Sequence, residues 1–202
     1  MSQMDRRLFL ASSAGAALAA ATPALAQSNE DGRLRTLLDG YSEAMVDESP
    51  ERATGLGLDK GARAALKSQL DDASAAGRDR RLAQAAKRVE GLKAIDRAAL
   101  SAPSRVDYDV VLYQNENAVR AGKAYPFGSV GGRFSPYVIS QQDGAYQDIP
   151  DFMDNQHRVQ TPADAEAWLA RLKAFARVLD QDLDGFRADV AAGIVPPDFT
   201  CD

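Results

Sequence analysis

The chain of 202 residues carries 24 basic and 29 acidic side chains, a formal net charge of −5, and a sequence pI near 5.0. That balance excludes the basic patch that nucleic acid or an anionic membrane surface requires, and an apolar fraction of 45% excludes wholesale disorder. A single cysteine, Cys201, excludes an internal disulfide, so the fold must be held by its core.

The first 26 residues have the three-part layout of a secretory signal. Arg6 and Arg7 precede an uncharged, alanine-rich run, and Ala24 and Ala26 stand at −3 and −1 of a cut before Gln27. The adjacent arginines mark the twin-arginine route, so the expected location is the periplasm or another exported site. The alternative is an uncleaved anchor. The uncharged run from Leu8 to Ser28 is long enough to span a bilayer, but it is mostly alanine and contains Ser12, Ser13, Gly15, Thr22 and Pro23. Membrane contact is expected only through an uncleaved signal.

The remaining chain reads as one mainly α domain, a multi-helix array with a long irregular loop or short hairpin at about 125–156. Leu34, Leu37, Leu38, Tyr41 and Met45 follow i, i+3, i+4 spacing and predict a helix from about Asp31 to Asp47. Two glycines, Gly55 and Gly57, predict a turn over Glu51–Asp59, followed by a short helix around Ala62–Leu70. Ser74 is a candidate N-cap for a helix whose apolar stripe is Leu82, Ala85, Val89, Leu92 and Ile95. Ser104 and Asp107 resemble a capping box opening a helix through Val106, Val110, Tyr113 and Asn117, with Gly122 as its stop. From Lys123 to Gln156 no helical period is read, and Tyr137–Ser140 is the one strand candidate. The last helix is the clearest. Thr161 caps it, Pro162 is N1, Asp164 is N3, and Trp168, Leu172, Phe175, Leu179, Leu183, Phe186 and Val190 form one stripe ending at Gly193. Its aromatic positions are expected in the core. The rest of so long a stripe needs a covering surface beyond the earlier helices.

Most catalytic signatures are absent. His157 is the only histidine, so no two-histidine zinc motif can form. No G-x-S-x-G or Walker loop accompanies it. Asp148, Asp151 and Asp154 lie three apart, which is not the alternation of a calcium loop. No residue of this chain is therefore expected to bind metal or cofactor or to be catalytic.

Four segments in order carry a resemblance: Ser49–Gly57, Leu92–Ser101, Ser135–Phe152 and Asp164–Leu172. Together they resemble the N-terminal part of the bacterial "domain of unknown function" family numbered 885, over about residues 30–200. The resemblance implies a large, mainly helical, exported protein similar to zinc metallopeptidases. The zinc motif, of HExxxGH type, would lie downstream, so zinc is expected in the full-length parent and not here. On that footing this chain is the N-terminal helical section walling the substrate cleft, inactive alone, with the C-terminal catalytic portion and a peptide substrate as partners. An extended peptide could pair with the strand at Tyr137–Ser140, which makes Tyr137, Gln141 and Tyr146 the candidate substrate contacts. The competing expectation is a non-catalytic periplasmic helical module that binds a partner.

Overall fold

The computed structural model describes residues 29–128, 137–140 and 143–195. Arg6, Arg7, Ala24, Ala26, Gln141 and Cys201 lie outside them, as do the signal and its cut. The described residues are mainly helical, without a strand. In chain order they form α1 (29–47), α2 (Pro50–Gly55), a 3-10 helix (Gly61–Ser68), α3 (Ala75–Lys93), a 3-10 turn (Arg97–Ala99), α4 (Ala102–Ala124), α5 (Ala145–Asn155) and α6 (Pro162–Ala191). No helix among them is long and apolar enough to cross a membrane.

Two apolar clusters hold these elements. The first joins α1, α3 and α4 through Leu34, Leu92, Ile95, Leu100 and Tyr108, with Leu37, Leu38 and Tyr41 packed against it. Leu92 and Leu100 are fully buried, which favours folding by about 1.5–3 kcal/mol each. The stripes expected on α1 and α3 therefore do face inward. Gly91 lets the Tyr41 hydroxyl come close enough to donate to the Arg88 carbonyl at 3.1 Å; a Cβ at Gly91 would strike that oxygen. The second cluster joins α5 and α6 through Ile149, Phe152, Met153 and Val178, with Trp168 and Phe175 against it.

Several boundaries differ from expectation, each for a local reason. The turn expected over Glu51–Asp59 begins as helix: Ser49 caps it by accepting from the Arg52 amide, Pro50 opens it, and only Gly57, at φ 69°, turns the chain. The short segment after it is 3-10, not α. Helix α4 starts earlier than Ser104, because Ser101 is its N-cap with Pro103 in the first turn. Gly122 does not end α4. It lies within the helix against Leu82 of α3, whose side chain a Cβ there would meet.

The largest difference is α5, which occupies part of the stretch expected to lack helical period. Ala145, Ile149, Phe152 and Met153 recur at i, i+4, i+7, i+8 and are all buried. Pro150 sits inside the helix and Gly144, at φ 128°, precedes it without a side-chain cap. The missing cap comes from another element: the Ala145 amide donates to Asp182 on α6 at 2.7 Å. The strand expected at Tyr137–Ser140 is not formed; those residues are bends.

Helix α6 is bounded as expected. Thr161 and Asp164 form a reciprocal capping box, and the helix closes before Gly193, at φ 81°. Its orientation is the surprise. Trp168 and Phe175 pack inward, but Leu172, Leu179, Leu183 and Val190 are exposed, and so is Leu169. The buried line runs instead through Asp164, Arg171, Val178, Asp182 and Asp189. At 3.6 residues per turn the centres of the leucine stripe and this line lie roughly 100° apart. On α4, Val106, Val110 and Tyr113 likewise face solvent.

Candidate functional site

Three of the buried polar residues of α6 act on backbone groups that other elements leave unpaired. Arg171 is 0% exposed. Its Nε donates to the Gln69 carbonyl at 2.7 Å and its Nη2 to the Leu66 carbonyl at 3.1 Å. The Leu66 carbonyl also accepts the Gln69 amide that closes the 3-10 helix, whereas the Gln69 carbonyl lies past the helix end. Nη2 also reaches the Thr54 hydroxyl at 2.7 Å, and Thr54 in turn donates to Asp59 at 2.9 Å. The guanidinium lies 4.8 Å from the Phe152 ring centroid. Asp182 and Asp189 accept the Ala145 and Gly128 amides at 2.7 and 3.0 Å. One face of one helix thus ties down α2, the 3-10 helix, the end of the α4–α5 connection nearest α4, and the start of α5.

His157 belongs to this network. It is 4% exposed, with Nδ1 2.7 Å from Arg171 Nη1 and Nε2 3.1 Å from the Asp164 carbonyl. The guanidinium can only donate, so Nδ1 accepts and Nε2 carries the proton toward Asp164. Burial, with Arg171 and Lys67 nearby, pushes the imidazole below its ordinary value, against the opposing hydrogen bond from Asp164. The Asp164 carboxylate is ion-paired with Lys67 and accepts the Gln160 and Thr161 amides, which holds it far below the usual carboxylate range.

Beside this network lies a cleft of about 900 Å³. One wall is α6, with Val178, Gln181, Asp182, Gly185 and Asp189; the opposite wall is Glu51 and the segment Asp71–Ala76. The third side is Asp143, Gly144, Asp148 and Ile149 at the start of α5, with Val138 packed on Gly185. The rim adds Arg78 and Arg81. Both arginines are engaged: Arg78 donates to the Tyr125 carbonyl at 2.8 Å and Arg81 to the Asp72 carbonyl at 2.8 Å. Eight carboxylates against these two arginines make the lining predominantly acidic. Burial, with Asp71 and Asp148 adding repulsion, pushes Glu51 upward, and burial does the same to Asp182. Asp72 is held far below the usual range by Arg80 and Ser74. A cleft of this character suits a ligand carrying positive charge, such as an ammonium or a guanidinium.

Of the expected contact residues, Tyr137 and Tyr146 sit beside this cleft rather than in its lining, and Gln141 lies outside the described residues. Tyr137 is half-buried next to Val138. Tyr146 is 47% exposed and its hydroxyl donates to the Ser140 carbonyl at 2.8 Å, tying the 137–140 segment to α5. Sequence reasoning missed the Arg171–His157 pair and the role of Asp182 and Asp189. The available signal was their spacing: 171, 178, 182 and 189 repeat at 7, 4 and 7, a second helical line beside the leucines.

Zinc does not fit the described residues. His157 spends both ring nitrogens on Arg171 and Asp164, and among the described residues no group of three His, Cys, Asp or Glu side chains could hold a metal ion.

Residues 50–202 match the family described as "Bacterial protein of unknown function (DUF885)". The match takes in the 3-10 helix and α2 through α6, and begins after α1. No curated protein and no solved structure matches the chain.

Proposed function

The chain belongs to the DUF885 family, and from that premise we propose that it is the N-terminal helical section of an exported, zinc-metallopeptidase-like protein whose substrate cleft it walls. The observation that supports this most is the acidic cleft, bordered by the segment 137–140 and the start of α5, which α6 holds through Asp182. A loop region fixed on a rigid helix beside an open cleft is the usual setting for a binding surface. The carboxylate lining favours a peptide that presents a free amino terminus or a Lys or Arg side chain. The catalytic zinc and its ligands belong to the downstream portion of the parent.

The test uses the longest reading frame that contains this sequence. An H-E-x-x-x-G-H motif in frame after Asp202 is the expected result. In that protein, Asp148→Lys with Asp184→Lys, both on cleft residues, raises KM for basic peptides about tenfold relative to neutral ones, equivalent to about 1.4 kcal/mol of binding, with kcat retained. A stop codon with no related frame after it, or equal KM for both peptide classes, sinks the proposal.

The exposed leucines of α6 favour a second reading, a non-catalytic module that binds a periplasmic partner through that stripe. Loss of peptide hydrolysis on Leu179→Asp in the same protein, with partner capture unaffected, would count against it.

A further inference from the structure

Outside the cleft lining, His157 is buried with both ring nitrogens committed, and its surroundings are charged. Helix α6 faces it with Arg171 and Asp164 and the 3-10 helix with Lys67, while Glu51, Asp59 and Asp71 act on the Arg171 guanidinium behind it. The nearest of these is the guanidinium, in direct contact through Nδ1 at 2.7 Å. That nitrogen accepts only while it is unprotonated.

We infer that the His157–Arg171 pair is an acid-released latch: a proton taken by His157 at Nδ1 breaks its bond to Arg171 and loosens α2 and the 3-10 helix from α6. The proton comes from solvent and forms an imidazolium; no other bond is made. The guanidinium then faces a second cation in a buried site, and the most economical relief is separation of the two layers it joins. Gln181 still holds Asp72 at 3.0 Å and the Ala73 amide at 3.1 Å, and Lys67 stays paired with Asp164, so the loosening is confined to the contacts that Arg171 makes. The latch rests on contacts between described residues alone and stands whether or not the parent is a peptidase.

Sequence supplies both reporters: His157 is the only histidine and Trp168, packed on the α5–α6 cluster, the only tryptophan. The experiment follows the ¹⁵N-labelled imidazole by NMR and acrylamide quenching of Trp168 in the 202-residue chain from pH 7.5 to 5. At pH 7.5 the proton is expected on Nε2. On acidification the imidazole charges with a midpoint below about 6.5, and the quenching constant at least doubles over the same interval. In His157→Asn, whose amide oxygen can accept from Arg171 without titrating, quenching stays flat. An imidazole that charges with quenching unchanged, or a His157→Asn variant with the wild-type rise, overturns the latch. Should His157→Asn not fold, the coincidence or separation of the two wild-type titrations decides.

Discussion

The two halves of this molecule are held by opposite means. The cluster between α1, α3 and α4 is ordinary apolar burial, with Leu34, Leu92 and Leu100 sealed from solvent. Along α6 the deepest side chain is an arginine, and the carboxylates of Asp182 and Asp189 are nearly as deep, while its leucines lie outside. The contrast follows from what each element brings. Helices α1, α3 and α4 are long and satisfy most of their own backbone groups. Helix α2, the 3-10 helix and α5 are short, so a large share of their amides and carbonyls has no internal partner. A helix packed against such pieces must supply donors and acceptors, and α6 does so with Arg171, Asp182 and Asp189.

The comparison can be broken most severely at Arg171. Arg171→Ala leaves the Gln69 carbonyl and His157 Nδ1 without their donor and is expected to cost about 3–5 kcal/mol in urea unfolding. A cost under 1 kcal/mol would mean the polar line is ornamental. On the apolar side, Leu92→Ala removes a fully buried side chain and should cost about 2–5 kcal/mol by the same measurement. Loss of the α6 cap comes next: Thr161→Ala removes a 3.2 Å bond from the Asp164 amide, for about 1 kcal/mol in thermal melting.

The pH dependence below neutrality separates the halves further, because the imidazole and carboxylates shifted chiefly by burial, His157, Glu51 and Asp182, belong to the polar side. His157 is lowered in the folded chain, so its contribution is complete above about 6.5 and is lost as pH falls below that. Glu51 is raised, so it acts with the opposite sign: stability is lost as pH rises from about 4.5 through its folded value. Glu51→Gln keeps an acceptor for the Asp71 amide and should leave the chain no less stable at pH 7, with that acid-side slope gone from the melting profile. The smallest expected effect is on the outward stripe. Leu172→Gln and Leu183→Gln should each change unfolding free energy by less than about 0.5 kcal/mol.

Much of the fold is legible in the sequence where a helix carries its own signals. Ser74, Thr161 with Pro162 and Asp164, and the stripes on α1 and α3 are read correctly because cap and period are local. Helix α5 is hidden because its cap is Asp182, far away in sequence, and because Pro150 reads as a breaker. The α6 stripe is read correctly as a stripe: Trp168 and Phe175 pack inward as expected, and its leucines are the part the earlier helices leave uncovered. Periodicity reports which residues share a face, and only the partners decide which face is turned in. The cleft escapes the sequence for a similar reason: Glu51, Asp71, Asp148 and Asp182 are ordinary scattered acids until α2, α5 and α6 meet. The family resemblance rests on segments that the match over residues 50–202 includes almost entirely.

The central claim is that α6 buries its polar line and presents its leucines. It is tested most directly by thiol labelling in a Cys201→Ser background. Leu179→Cys, on the exposed face, should react with a small maleimide at nearly the rate of an unfolded thiol, whereas Val178→Cys, one residue away and 4% exposed in the native chain, should be protected at least a hundredfold. Equal protection at the two positions, or a protected Leu179→Cys beside a reactive Val178→Cys, would contradict the account.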